Sequence, residues 1–270
     1  MQTTAFDEYE RRAWEGRAAA FAGGVARLCA YPVPQLLDAA EVGEGTRVLD
    51  VGTGTGTVAA AACARGAKVT AVDAEPSMVE LAGQAAPSAE VLSAVLPELP
   101  FQDSSFDAVV GNFVINHVGR PKDALAELRR VVRPGGRIAL TIWAVPASAG
   151  QALLGRAVEA AGVTRPAYLP PLAAEDDFPR NHEGLAALMA SAALRDTTCE
   201  TLRWEHRASA EEWWSGPAAG LAFIGQLLLS QSQETRAEVK RHFDVLSQEF
   251  LGADGQLILP HTALLATARR

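Results

Sequence analysis

The feature that most constrains this chain is the run VLDVGTGTGTV, residues 48–58, where a short apolar strand leads directly into alternating glycines. Gly52, Gly54 and Gly56 allow positive φ angles and a close approach of the backbone to a ligand. The alanine-rich stretch 58–65 that follows predicts a helix. A strand, a glycine loop and a helix in this order predict a binding site for a nucleoside.

The spacing of the glycines separates two classes of nucleoside site. A nicotinamide or flavin fingerprint, G-x-G-x-x-G, has its third glycine where this chain has Thr57. The chain instead carries D-x-G-x-G-x-G, which begins at Asp50 and includes Thr53. This pattern resembles the first motif of the class I S-adenosylmethionine-dependent methyltransferases. The resemblance implies S-adenosyl-L-methionine as cofactor, with the glycine amides facing its methionyl carboxylate.

A second acidic residue follows at the distance that a ribose contact requires. The alternating segment KVTAVD ends in Asp73, about twenty residues after the glycine loop, where a second parallel strand places a carboxylate beside a ribose. Pro76 suits the first position of a helix, and Met78 continues its apolar stripe. The resemblance implies that Asp73 chelates the ribose, that Ala74 lines the adenine and that Met78 belongs to the cofactor site.

Two further motifs follow in the expected order. The stretch LPFQDSSFDAVVGNFVINHV, residues 99–118, resembles methyltransferases of ubiquinone and menaquinone biosynthesis, with a buried strand expected over 108–113. The stretch ALAELRRVVRPGGRIALTIWA, residues 124–144, predicts a helix, a Pro-Gly-Gly turn and a fifth strand. The resemblance covers 48–144 and implies an α/β fold. That fold is a Rossmann-like seven-stranded sheet of order 3-2-1-4-5-7-6 with its last strand antiparallel, helices on both faces and a helical cap.

One departure from the family concerns the adenine. Family members usually carry an acidic residue before the Leu-Pro-Phe turn, but the corresponding stretch 93–97 has no carboxylate. We therefore expect backbone amides and apolar contact around Val95 and Leu96 to hold the adenine. Binding of the cofactor should be roughly ten-fold or more weaker, because a hydrogen bond to a charged group typically contributes about 1.5–3 kcal/mol.

The candidate catalytic residues follow the fourth strand. Methyl transfer from a sulfonium is an in-line displacement, so positioning of the two reactants supplies much of the rate. His117 would lie at the carboxyl edge of the sheet and is the candidate general base, and Asn116 would orient an acceptor hydroxyl. Asn112, at the end of the strand, is expected to contact the cofactor. The alternative for residues 116 and 117 is that they cap the next helix.

The two ends of the chain are expected to form the acceptor site. Residues 6–22 predict a helix that folds over the cofactor as a lid, with Trp14 near the sulfonium, where a cation lies over an aromatic face; the alternative for Trp14 is simple packing. Residues 209–252 predict a helical cap with an apolar stripe. One residue of the Trp213–Trp214 pair is expected in the core and the other in the pocket. The candidate pocket residues are Phe113, Trp143, Trp213 and Trp214.

These segments predict a single methyltransferase domain over residues 1–270. Its parts are an N-terminal helical lid (1–40), a cofactor-binding core (41–145), pocket loops with a helix and the sixth strand (146–207), a helical cap insertion (208–252) and the final strand (253–270).

Composition disfavours several other kinds of partner. A net charge of −8 disfavours nucleic acid, which requires a basic surface, and no apolar stretch approaches the roughly 18 residues of a membrane span. The cysteines are far apart and no secretory segment is recognisable, which favours the cytoplasm. The histidines lack metal-site spacing, so no metal is expected. The cap is compatible with a monomer or a homodimer.

The combined expectation is methyl transfer from S-adenosyl-L-methionine to a small-molecule acceptor, a specialised metabolite or a quinone-like compound. Two alternatives stay open. The same fold can bind the cofactor for a non-methylating reaction or a binding role, and a related sheet serves NAD(P)-dependent reductases. The sequence does not indicate whether O, N, C or S is methylated.

Overall fold

The computed structural model describes residues 3–166 and 169–270, and these residues form one seven-stranded sheet of order β3-β2-β1-β4-β5-β7-β6. The strands are β1 (Arg47–Val51), β2 (Lys68–Asp73), β3 (Glu90–Ser93), β4 (Phe106–Asn112), β5 (Val132–Trp143), β6 (Arg195–Ala208) and β7 (Leu257–Arg269). Strands β1 to β5 pair in parallel, and β7 lies antiparallel between β5 and β6. The predicted sheet order and its antiparallel last strand are confirmed.

Helices surround this sheet and extend beyond one edge of it. Before the sheet lie α1 (Ala5–Trp14), α2 (Ala18–Ala22), α3 (Val25–Cys29) and α4 (Val33–Ala39). The helices that connect parallel strands are α5 (Thr57–Ala64), α6 (Pro76–Ala85) and α7 (Pro121–Val131). After β5 come α8 (Ala149–Ala160), α9 (His182–Ser191), α10 (Ala210–Ala218), α11 (Ala222–Leu229) and α12 (Gln233–Leu246). Short 3-10 helices cover Val114–His117 and Ser247–Phe250.

The hydrophobic core lies in two layers, one on each face of the sheet. Helices α7 and α9 bury Leu125 and Leu185 against one face, and helices α4 and α5 bury Leu36 and Ala62 against the other. Because both faces are covered, the central strands are almost continuously apolar, as parallel strands buried on both faces are. The sheet therefore offers a ligand its carboxyl edge rather than a face.

A third apolar cluster attaches the cap to the sheet. Phe243 of α12 and Leu153 of α8 are fully buried together with Leu257 and Leu259 of β7. Those two β7 residues pair with β6 but not with β5, so the β6–β7 hairpin continues past the end of β5. The cap consequently lies on the extended hairpin, at the carboxyl edge of the sheet.

Three local details differ from the sequence predictions. The helix expected over 6–22 is two helices, because Gly16 between them adopts φ +67°. Phe113 lies outside the fourth strand, with φ +62°. The expected Pro-Gly-Gly turn lies within β5, where the pairing with β4 shifts register and Gly135 has φ +74°.

Candidate functional site

The glycine loop follows β1 at the carboxyl edge, and each of its glycines has a positive φ, +67° at Gly52, +55° at Gly54 and +85° at Gly56. A Cβ atom on Gly52 would collide with the side chain of Val114, and one on Gly56 would lie 2.8 Å from the Cα atom of Ala82. Both space and conformation therefore require glycine at these two positions. All three glycines have the positive φ angles that the sequence predicted, and the loop packs closely against Val114 and Ala82.

A buried carboxylate lies beneath this loop. Asp50 is fully buried, and its Oδ2 atom accepts a hydrogen bond of 2.6 Å from the Thr53 hydroxyl. The Oδ1 atom has no hydrogen-bond partner, and burial raises the pKa of Asp50 to about 7. An unpaired buried oxygen is unfavourable unless a donor satisfies it. A ligand with an ammonium or N–H group at the loop would supply that donor, so these residues fit the amino-acid end of S-adenosylmethionine.

The acid of the second strand meets the glycine loop. The Oδ2 atom of Asp73 accepts from the backbone N–H of Gly54 at 2.8 Å, and its Oδ1 atom accepts from the N–H of Glu75 at 3.0 Å. Burial raises the pKa of Asp73, although these two N–H groups oppose the shift. Each carboxylate oxygen can accept a further hydrogen bond. The predicted ribose acid and the predicted glycine loop thus form one continuous site.

The N-terminal helices cover this site. The carboxylate of Glu75 accepts from the backbone N–H of Gly16 at 3.2 Å, which fixes the link between α1 and α2 beside Asp73. The ring of Phe21 approaches to 3.4 Å of the position that a Cβ on Gly54 would take. Trp14 contacts Phe21 edge to face, with ring centroids 5.7 Å apart. Helices α1 and α2 therefore lie over the glycine loop.

His117 connects helix α1 to the segment that follows β4. Its Nδ1 atom lies 2.8 Å from a carboxylate oxygen of Glu10, which also accepts from the indole N–H of Trp14 at 3.2 Å. Burial disfavours the charged imidazole, but the charge and hydrogen bond of Glu10 and the charge of Asp73 outweigh it and raise the pKa of His117. Sequence reasoning missed Glu10, which is 107 positions away in the chain.

The alternative role for residues 116 and 117 is wrong in its stated form. Helix α7 begins at Pro121 after Arg120, and no side chain caps it. Asn116 lies in the preceding 3-10 helix, and its buried Nδ2 atom has no hydrogen-bond partner. Neither residue therefore caps helix α7.

Asn112 forms hydrogen bonds inside the protein, and residues 93–97, which are predicted to hold the adenine, lie beside Asp73. The amide of Asn112 accepts from the Thr141 hydroxyl at 2.6 Å and donates to the Cys29 carbonyl at 2.7 Å, which ties β4 to β5 and to α3. Next to Asp73, the segment 93–97 continues β3; Val95 is 44% exposed and Leu96 is partly buried. Met78 is buried at the start of α6. Cofactor contacts by these residues stay predictions.

The four predicted pocket residues separate into two groups. Phe113 stacks on Trp143, with ring centroids 4.0 Å apart and planes 16° apart. Trp213 lies 5.4 Å from the ring of His261 on β7, whose neighbours include Trp143. Trp214 instead packs on Phe243 within the cap, 5.3 Å between centroids. Trp213 therefore faces the end of the sheet, and Trp214 faces the cap core.

The described residues give little support to a metal site or a membrane span. Within residues 3–166 and 169–270, no group of three or more histidine, cysteine or acidic side chains is placed to hold a metal ion. Over the same ranges no helix combines the length and apolarity needed to cross a membrane. A surface cleft of about 440 Å³ is lined by Arg47, Lys68 and Glu90 at the amino ends of the strands, opposite the glycine loop.

The sheet order is that of the class I S-adenosylmethionine-dependent methyltransferase fold, and the glycine loop and Asp73 meet at its carboxyl edge. Residues 49–140 match the family model described as "Methyltransferase domain". Over these residues, the resemblance to class I S-adenosylmethionine-dependent methyltransferases seen in the sequence is confirmed.

Two curated relatives are similar to part of this chain. The demethylmenaquinone methyltransferase of Clavibacter sepedonicus is 43% identical over 107 residues, which are 38% of this chain and 43% of that enzyme. The biotin biosynthesis bifunctional protein of Cellvibrio japonicus is 39% identical over 125 residues, 45% of this chain and 25% of that protein. The match thus spans less than half the length of each relative, and the names of these two relatives indicate different functions.

A solved structure extends the likeness of the fold. A protein of Bacillus halodurans C-125 superposes with a TM-score of 0.57 at 19% identity, over 88% of this chain and 97% of that one. At that identity the likeness concerns the fold.

Proposed function

We propose that this protein transfers the methyl group of S-adenosyl-L-methionine to a small-molecule acceptor, a specialised metabolite or a quinone-like compound. The observation that carries the proposal is the 2.8 Å hydrogen bond from Gly54 to Asp73, because it joins the glycine loop and the ribose acid in one cradle. A quinone-like acceptor has further support from the similarity of the core to demethylmenaquinone methyltransferase.

The residues proposed to hold the cofactor surround this cradle. They are Asp50, Gly52, Thr53, Gly54, Gly56, Asp73, Ala74, Met78, Val95, Leu96, Asn112 and Trp14. When bound, S-adenosylmethionine supplies an electrophilic methyl group on a sulfonium. The backbone N–H groups of the loop suit a carboxylate, and the unpaired oxygen of Asp50 suits an ammonium group.

His117 is proposed as the general base and Asn116 as a group that orients the acceptor. Glu10 holds the imidazole through Nδ1, which leaves Nε2 to take a proton from an acceptor hydroxyl. The raised pKa of His117 makes the neutral imidazole a stronger base. Asn116 has a free Nδ2 donor for an acceptor oxygen. Positioning of the reactants accounts for the rest of the rate in this proposal.

We further propose the roles that the sequence predicts for three segments: residues 1–40 form a lid, residues 41–145 bind the cofactor, and residues 208–252 form a helical cap. The lid proposal has support from the contacts of Gly16 and Phe21 above. The cytoplasm is the proposed location, because Cys29, Cys63 and Cys199 are free thiols. A net charge of −8 supports the absence of a nucleic-acid partner, and a monomer or a homodimer is the proposed assembly.

Calorimetry with three ligands tests the central proposal. We expect S-adenosylmethionine and S-adenosylhomocysteine to bind the native protein and NADH not to bind. Labelled methyl groups should then appear in an acceptor mixed with the native protein. Binding of NADH without binding of S-adenosylhomocysteine would contradict the proposal. Cofactor binding with no methyl transfer to any acceptor would leave only a binding role.

A further inference from the structure

Several aromatic side chains that the sequence did not single out meet beside the cofactor cradle. Strands β6 and β7 pair over 203–208 and 257–262 beyond the last pairing of β5, which is Trp143 with Ala263. In that extension Trp204 lies directly opposite His261, and His206 lies two residues further along. Side chains two residues apart in a strand, and those directly opposite in a pair, share one face.

These residues complete what we call the aromatic cluster. Its members are Tyr31, Phe113, Trp143, Trp204, His206, Trp213 and His261. Phe113 directly follows Asn112 at the end of β4, the strand next to β1, and Val114 contacts Gly52. The cluster therefore begins beside the glycine loop and extends under the cap.

Two flat rings already stack on Trp204. Trp204 has Tyr31 5.8 Å away with planes 17° apart, and His261 6.0 Å away with planes 21° apart. Tyr31 is 39% exposed, so its ring lies on the solvent side of the cluster. A planar aromatic molecule that took the place of Tyr31 would meet the same geometry on Trp204.

Polar atoms within the cluster lack partners. The Nδ1 atom of His206 and the indole N–H groups of Trp204 and Trp213 are buried without any hydrogen bond, and His206 is only 2% exposed. A buried donor without a partner destabilises the protein. Because an indole nitrogen is only a donor, a ligand that satisfies these groups must present hydrogen-bond acceptors, which carbonyl and ether oxygens supply.

The cluster is also electrically neutral. None of its members is acidic, and burial lowers the pKa of His206 and of His261 to about 4, so both imidazoles are uncharged at neutral pH. The nearby guanidinium of Arg27 is bonded to Glu212 and to the carbonyl of Arg207. A charged ligand would therefore find no partner among the cluster residues, which favours a neutral one.

We propose that the aromatic cluster binds the methyl acceptor, and that the acceptor is a planar, neutral, oxygenated aromatic compound. Its ring stacks on Trp204 in the position that Tyr31 occupies, and its oxygens accept from Trp213, Trp204 and His206. These three residues determine specificity. The inference rests on the proposed methyltransferase function and adds the chemical class of the acceptor to it.

Calorimetry with chromone tests the class of ligand. Chromone is flat, neutral, carries carbonyl and ring oxygens and has no methylation site, while 1-decalone has a similar size and a carbonyl but is not flat. With S-adenosylhomocysteine present at saturation, we expect chromone to bind at least ten-fold more tightly than 1-decalone. Equal affinities, or no binding of chromone, would overturn the inference.

A matched pair of variants tests the position of the site. Trp213→Phe and Trp214→Phe remove the same indole nitrogen from adjacent residues of one helix, but only Trp213 belongs to the cluster. We expect Trp213→Phe and His206→Phe to weaken chromone binding about five- to ten-fold, the typical effect of one hydrogen bond. Trp214→Phe should leave it within two-fold of the native value.

The binding of S-adenosylhomocysteine separates the two levels of the proposal. All three variants should bind it as the native protein does, which also shows that they are folded. Equal effects of Trp213→Phe and Trp214→Phe on chromone, with this binding intact, would refute the cluster as the acceptor site. Failure of the native protein to bind S-adenosylhomocysteine would refute the proposed function, and the acceptor assignment would fall with it.

Discussion

Replacement of Gly56 by alanine should destabilise the protein more than an ordinary glycine replacement. Its φ of +85° costs an alanine about 1–2 kcal/mol. The new Cβ would also lie 2.8 Å from the Cα atom and 3.1 Å from the carbonyl oxygen of Ala82. Overpacking of this kind typically adds about 1–3 kcal/mol, because backbone atoms of a neighbouring helix cannot move aside freely. The expected loss in the free energy of unfolding is therefore about 2–5 kcal/mol.

Gly45 provides the matched control for Gly56→Ala. Its φ is +75°, and a Cβ built there meets nothing within 4 Å. Gly45→Ala should therefore lose only the conformational part, and the smaller entropy of the unfolded chain affects both variants equally. Urea unfolding followed by circular dichroism, at constant m-value, should place Gly56→Ala about 1–3 kcal/mol below Gly45→Ala.

The refuting result for this reasoning is a Gly56→Ala midpoint that coincides with that of Gly45→Ala. The close approach of Gly56 to Ala82 would then not be the reason why this position requires glycine. A functional consequence follows from the same contact, because α5 starts at the glycine loop. Gly56→Ala should weaken the binding of S-adenosylhomocysteine, and Gly45→Ala should not.

Three further predictions follow from the ionisable groups. Asp73→Asn should weaken S-adenosylhomocysteine binding ten-fold or more by calorimetry, because a charged acceptor is lost from the loop; a change under two-fold would contradict its role. Glu10→Gln should lower the pKa of His117, measured by NMR titration. The stability that this pair contributes is present below about pH 6.5 and is lost as the pH rises through the raised pKa. An NMR titration of His117 that Glu10→Gln leaves unchanged would refute the pairing. Asp107→Asn should cost about 1–3 kcal/mol in urea unfolding at pH 7, because the Arg47 hydrogen bonds hold the pKa of Asp107 well below its usual range. That difference is present above the unfolded pKa of about 3.9 and should shrink as pH falls below it; a pH-independent difference would rule out the ionic origin.

The cofactor side of the molecule was predictable from the sequence because its signals are local. Glycines at alternate positions after an apolar strand require positive φ angles, and Gly52, Gly54 and Gly56 all have them. Asp73 ends the next strand, and neighbouring parallel strands bring their carboxyl ends together, so its contact with the loop follows from strand order.

The contacts of the N-terminal helices with Glu75 and His117 required the tertiary structure. At the break between α1 and α2, the N–H of Gly16 donates to Glu75, which lies 59 positions away. Glu10 meets His117 across 107 positions. A sequence pattern with helical spacing reports which face of a segment is apolar, but it contains no information about which distant side chain meets that face.

The sequence by itself determined the sheet, the glycine loop and the position of Asp73, since these depend on backbone conformation and on residue spacing within single elements. Only the tertiary structure decided which aromatic residues meet in the aromatic cluster. Adjacent residues of a helix point about 100° apart, so the docking of α10 turns Trp213 toward His261 and Trp214 toward Phe243. Tyr31, Trp204 and His261 come from three distant parts of the chain, and the pairing of β6 with β7 and the packing of the N-terminal helices bring them together.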